Sequence, residues 1–111
     1  MKTLIIIPAY NESENIERVV KSLEENCPEC DYLIVNDGSR DDTELVCQKN
    51  GYHYVSHPVN MGLAAAVQTG MLFAMNNGYD SAIQFDGDGQ HDPRYIKNMQ
   101  DKISEGYNIV I

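Results

Sequence analysis

A regular alternation of strand and helix signals predicts an α/β domain, a mainly parallel open sheet with helices on both faces. Three observations carry that prediction. Short apolar runs rich in β-branched residues, such as Leu4-Ile5-Ile6-Ile7 and Leu33-Ile34-Val35, lack in-out alternation and suit strands buried on both faces. Segments with helical periodicity stand between the strand runs. Loops that follow the strands turn polar, acidic or glycine-rich. At 111 residues the chain fits one domain, 1–111, with no linker, internal repeat or low-complexity stretch.

Thr3 opens the first strand, which Pro8 is expected to stop. Asn11 is placed to cap a helix, with Glu14 at the capping-box position, and Ile16, Val19, Val20 and Leu23 form one face of that helix to about residue 26. A second strand over 32–35 runs into Asn36-Asp37-Gly38-Ser39, and Asp41 or Asp42 with Thr43 starts a second helix through about residue 49. Gly51 separates it from a short third strand over 52–56. Residues 63–77 form the longest helix, rich in alanine and methionine and closed by Asn77-Gly78. A fourth strand over 81–85 is followed by a helix capped by Asp92 with Pro93 in its first turn, its apolar face formed by Ile96, Met99 and Ile103. Residues 107–111 begin a fifth strand. A chain that stops within a strand predicts a C-terminally incomplete domain, and such an edge invites a homo-oligomer by pairing with a second copy.

Composition narrows the function classes. The formal net charge is −9, and the 8 basic residues are spread without a cluster, which argues against nucleic acid as a partner. No apolar run approaches the roughly 18 residues of a membrane span, and the N-terminal run is too short for a signal peptide. A cytoplasmic protein is expected, with docking at the inner membrane surface compatible with that place. Cys27-Pro28-Glu29-Cys30 follows a helix rather than opening one, and with Cys47 these cysteines are expected to be free thiols.

The chemistry concentrates after the fourth strand. Asp86-Gly87-Asp88-Gly89-Gln90-His91-Asp92-Pro93 places two carboxylates one residue apart at a strand end. Such a pair is tolerable chiefly when a hard divalent cation or a set of donors neutralises it. A calcium-binding EF-hand is excluded, because the sixth and twelfth positions counted from Asp86 hold His91 and Lys97 instead of glycine and glutamate. In open parallel sheets ligands bind beyond the carboxyl ends of the strands, where strand order reverses. That rule gathers the loops 8–12, 36–41 and 86–90 at one rim.

Four segments together carry a resemblance: Ile5-Ile6-Ile7-Pro8-Ala9-Tyr10-Asn11-Glu12, Val35-Asn36-Asp37-Gly38-Ser39-Arg40-Asp41-Asp42-Thr43, Asn60-x-Gly62, and the acidic stretch with its Gln90-His91-x-Pro93 tail. In order and spacing they resemble the GT-A family 2 glycosyltransferases, and the tail is similar to the dolichol-phosphate mannosyltransferase-like branch. The resemblance implies a Rossmann-like nucleotide-sugar transferase fold and a metal-dependent, inverting transfer from a UDP- or GDP-sugar donor. The implied acceptor is a lipid phosphate or a glycan.

It also implies a site. Pro8, Ala9, Tyr10 and Glu12 would wrap the nucleoside, and Asp37 would accept an N–H from the base. Asp86, Gly87 and Asp88 would meet the sugar nucleotide. Mg2+ or Mn2+ would be held by Asp88, shared with Asp86 and joined by the Gln90 amide oxygen, while His91 is read as a residue of the turn. Any general base would lie beyond residue 111. Two rivals fit less well. A receiver domain wants an acidic pair after its first strand, where Pro8-Ala9-Tyr10 stands, and a dinucleotide-binding domain wants G-x-G-x-x-G there, whereas no glycine precedes Gly38. A nucleotide-binding module without turnover is the remaining alternative.

Overall fold

The computed structural model describes residues 2–85. The order is β1 (Thr3–Ala9), α1 (Ile16–Asn26), β2 (Asp31–Asp37), α2 (Thr43–Asn50), β3 (Tyr54–His57), α3 (Leu63–Asn76) and β4 (Ser81–Gln84). The strands form one sheet in the order β3-β2-β1-β4, and every pairing is parallel. The predicted α/β architecture is therefore present; the helix and strand expected after residue 85 lie outside the described residues. No helix among the described residues is long and apolar enough to cross a membrane.

Strand pleating distributes β1 between two cores. Ile5, Ile7 and Ala9 face α1 and α2, packing with Ile16, Val19, Val20, Leu23 and Cys47. Leu4 and Ile6 face the other way and pack with Leu33, Val35, Ala66, Ala74 and Ala82. Helices thus cover both faces, as continuous apolar strands require. The crossovers to β2 and β3 step away from β1 on one side, and the return through α3 places β4 on the other. The strand order reverses at β1, so its carboxyl end is the switch point of the sheet.

Two local expectations are corrected. Pro8 does not end β1, because Pro8 and Ala9 continue the pairing with Val35 and Asn36. Ile6 turns its carbonyl to the Phe85 N–H, so Pro8, two residues on, faces the side where the β1–β4 register has already ended and its missing N–H has no ladder bond to lose. The first helix begins at Ile16 and not after Asn11. Asn11 has φ of 54° and is used to join loops, while the Glu12 carbonyl accepts the N–H groups of Asn15 and Ile16.

The cysteine expectation holds only in part. Cys27 and Cys30 are joined by a disulfide across a Cα–Cα distance of 5.4 Å, because the turn after α1 brings their side chains together. Cys47 is free and buried; burial, with the Glu44 charge adding to it, pushes its thiol up to about 11, so it serves as a packing residue.

α3 approaches the sheet through Ala66, Gly70 and Ala74, spaced so that all three share one buried face. A Cβ on Gly70 would lie 2.5 Å from Cγ2 of Ile6, which is itself buried. Gly70→Ala is therefore expected to lower stability by about 1 kcal/mol, overpacking outweighing the gain in helix propensity. Urea unfolding checks it: a stabilised variant would show that α3 can lift off the sheet freely.

Candidate functional site

The loops that follow β1 and β2 are tied together by hydrogen bonds at the carboxyl end of the sheet. The Asn11 N–H donates to Ser39 Oγ at 2.9 Å, and the Arg40 N–H returns a bond to Asn11 Oδ1 at 2.9 Å. The Glu12 N–H donates to Thr43 Oγ1 at 2.9 Å and the Ser13 N–H to Asp41 Oδ2 at 3.2 Å. Burial pushes the Asp41 carboxyl up, but bonds from the Thr43 hydroxyl, the Thr43 N–H and the Ser13 N–H outweigh it and hold the group below its usual range. The first two of the three predicted loops thus meet at one rim.

Asp37, the last residue of β2, brings in a further loop, residues 58–62. Its Oδ1 accepts from His57 Nδ1 at 2.7 Å and from the Met61 N–H at 2.9 Å. Its Oδ2 accepts from the Gly62 N–H at 2.8 Å and from Asn60 Nδ2 at 3.1 Å. The other ring nitrogen of His57 bonds Thr69 Oγ1 on α3 at 2.8 Å. Burial pushes the Asp37 carboxyl up, yet the bonds from His57, Met61 and Gly62 and the attraction of His57 hold it below the usual carboxylate range. One carboxylate therefore clamps the end of β3 and the entry of α3 onto β2.

The loop also presses directly on the turn after β2. Gly38 has φ of 67°, and a Cβ there would lie 2.2 Å from the Val59 carbonyl carbon. Only glycine fits where two backbones come that close with that dihedral.

These contacts enclose a cleft of about 340 Å³ lined by Pro8, Ala9, Tyr10, Asp37, Asn60, Gly62, Leu63 and Ala66. It lies beyond the carboxyl end of β1, beside the reversal of strand order. Tyr10 is 42% exposed and forms one wall, and the start of α3 forms another. Of the residues expected to bind a nucleotide sugar, Pro8, Ala9, Tyr10 and Asp37 line this cleft. Glu12 stands outside the lining, with Oε2 accepting from Asn15 Nδ2 at 2.9 Å. Asp86, Gly87, Asp88 and Gln90 lie outside the described residues, as does His91. The strand that leads to them ends at Gln84, in register with Ile6 of β1.

Asp37 lines the cleft, and two donors reach each of its carboxylate oxygens, so in this structure the carboxylate holds the loop that shapes the cleft wall. Residues without an assigned role supply the rest of the site: His57, Asn60, Gly62, Leu63 and Ala66. Asn60-x-Gly62 was visible as a motif, whereas nothing local in the sequence marked His57 as the partner of Asp37.

A larger cavity of about 420 Å³ opens at the other end of the sheet, lined by the end of α1 and the start of β2. It holds none of the predicted donor-site residues.

Comparison with known proteins agrees with this architecture. The family model described as glycosyl transferase family 2 matches residues 4–111. Polyprenol monophosphomannose synthase from Mycolicibacterium smegmatis is 31% identical over 116 residues, covering 99% of this chain and 44% of that protein. UDP-N-acetylglucosamine–dolichyl-phosphate N-acetylglucosaminyltransferase from Methanococcus voltae is 33% identical over 125 residues, covering 96% of this chain and 49% of that protein. The chain thus spans about half the length of these relatives. Glucosyl-3-phosphoglycerate synthase from Mycobacterium tuberculosis, solved with Mn2+, UDP and glucosyl-3-phosphoglycerate, superposes with a TM-score of 0.73 at 23% identity, covering 92% of this chain and 39% of that one. At that identity the likeness speaks to the fold.

Proposed function

Since this chain belongs to glycosyl transferase family 2, we propose that its cleft binds the nucleotide part of a UDP- or GDP-sugar and serves inverting transfer of the sugar to a polyprenyl phosphate. The observation that carries the reading is the cleft at the switch point, built from Pro8, Ala9, Tyr10, Asp37 and the first turn of α3. Tyr10 offers an apolar face to the nucleoside, and Glu12 offers a carboxylate at the adjoining rim. Gly62, Leu63 and Ala66 bring the N-terminus of a 14-residue helix to the cleft. The Gly62 N–H is taken by Asp37 and the Ala66 N–H by the Gly62 carbonyl, whereas the N–H groups of residues 63–65 precede the first intrahelical bond and suit a diphosphate.

The donor set after β4 fits a hard cation, since Asp86, Asp88 and Gln90 offer two carboxylates and an amide oxygen. Mg2+ or Mn2+ held there would offset the charge on the diphosphate. Asp88 would be the main ligand, Asp86 would share the ion or meet the ribose, and Gly87 would let the backbone come close. The Mn2+ and UDP of the mycobacterial enzyme support this choice. Direct displacement at the anomeric carbon accounts for inversion, and a lipid phosphate is already anionic, so it attacks without a general base. The polyprenol- and dolichyl-phosphate names of the relatives support such an acceptor, and with it association at the cytoplasmic membrane surface.

Calorimetry with UDP and GDP, each with and without Mn2+, tests the reading on this chain and on Asp88→Ala. One nucleotide should bind in a metal-dependent manner, and the variant should lose at least roughly tenfold in affinity. Equal binding by the variant would rule out Asp88 as the main metal ligand. Binding of the nucleotide without sugar transfer would reduce this chain to a binding module.

A further inference from the structure

The end of the sheet opposite the cleft carries a second constellation, whose chemistry is independent of the glycosyltransferase reading. Cys27 caps α1, its N–H donating to the Leu23 carbonyl at 2.7 Å. A tight turn comes next, closed by the Cys30 N–H on the Cys27 carbonyl at 3.0 Å, and β2 begins at Asp31. The turn brings Sγ of Cys27, Sγ of Cys30 and a carboxylate oxygen of Glu29 within 4.8 Å of one another. Cys27 is buried, Cys30 half-buried and Glu29 exposed, so the cluster runs from the core to the surface. Glu24, Asp31 and His53 line the adjoining cavity.

The electrostatics favour a cation. The negative end of the α1 dipole points at this turn, and the last turn of α1 contains no basic residue. Two thiolates and a carboxylate at such spacing repel one another strongly, so the thiolate form needs a positive charge between them. In the structure the sulfurs are joined instead as a disulfide. Disulfide and thiolate–metal forms are two alternative ways of relieving the same repulsion.

We propose that the reduced chain binds one thiophilic divalent cation, with Zn2+ as the reference ion, through Cys27, Cys30 and Glu29. Two sulfurs and one carboxylate oxygen are a zinc donor set, and water or a side chain of the adjoining cavity completes four-coordination. Reduction by a phosphine breaks the S–S bond: the phosphine and one water become phosphine oxide, and the two sulfurs leave as thiols. The metal then displaces both thiol protons to solvent. A small disulfide oxidant such as oxidised glutathione reverses this: it takes two electrons from the sulfurs and two protons from solvent and leaves as two thiols, the Cys27–Cys30 bond closes, and the ion is released.

The test is Co2+ titration of the phosphine-reduced, desalted chain under argon, followed by displacement with Zn2+ and a metal count by mass spectrometry. One equivalent should bind with sulfur-to-cobalt charge-transfer absorption in the near ultraviolet. Cys27→Ser and Cys30→Ser should each abolish that band, and Glu29→Gln, at an exposed position, should weaken binding roughly tenfold or more. Asp88→Ala should leave the sulfur-to-cobalt band unchanged, which separates this ion from one at the nucleotide cleft. Far-ultraviolet circular dichroism verifies that each variant is folded, and a misfolded Cys27→Ser leaves Cys30→Ser and Glu29→Gln to decide. No charge-transfer band in the reduced chain, or an unchanged band in a folded cysteine variant, overturns the proposal.

Discussion

Gly38→Ala is expected to cost about 3 kcal/mol of stability, combining a left-handed backbone penalty with overpacking against a neighbouring chain segment. The new methyl group would sit 2.2 Å from the Val59 carbonyl carbon and 2.3 Å from the Asn60 nitrogen, and backbone cannot swing aside as a flexible side-chain end can. Gly51 is the natural control. Its φ is 68°, nearly that of Gly38, but nothing lies within 4 Å of its would-be methyl. Gly51→Ala should therefore lose only the backbone part, about 1 kcal/mol. Urea unfolding of the two variants isolates the contact, and equal losses would show that residues 58–62 do not press on Gly38. The same displacement should open the cleft, so Gly38→Ala should also weaken nucleotide binding, while Gly51→Ala should not.

Asp37→Asn should have a comparable effect, about 3 kcal/mol, despite its isosteric shape. The carboxylate accepts from four donors, and the amide would turn its own NH2 toward some of them. Its pH dependence has a definite sign. The folded-state value of Asp37 is depressed, so its contribution is complete above the unfolded carboxylate value of about 3.9 and is lost as pH falls through the lower folded value. The stability gap between the parent chain and Asp37→Asn should hold at neutral pH and shrink below about pH 4. Pairing Asp37→Asn with His57→Ala should give losses that do not add, with coupling of about 1 kcal/mol or more. Additive losses would mean that the 2.7 Å contact contributes nothing to the clamp.

The behaviour of Asn11 shows where local patterns lose to tertiary partners. Asn11 and Glu14 have the spacing of a capping box, which is a local pattern and carries no information on what the neighbouring loop offers. Ser39 and Arg40 offer better partners from the next strand's loop, and Asn11 takes a left-handed conformation to reach them. Tyr10 and Pro8 were legible because their neighbours in sequence are also their neighbours in the cleft. His57 was not, because its meaning depends on Asp37, twenty residues earlier, and on Thr69, twelve residues later.

By itself the sequence determined the alternation of strands and helices, the parallel sheet that continuous apolar strands demand, and which strand ends carry polar chemistry. Those are properties of periodicity and composition, which act over a few residues. Only the tertiary structure decided that β4 returns to the far side of β1, that the Asp37 carboxylate is spent on holding residues 60–62, and that Cys27 and Cys30 meet. Each depends on groups brought together by packing, and a donor can be assigned to an acceptor only once the distance between them is fixed.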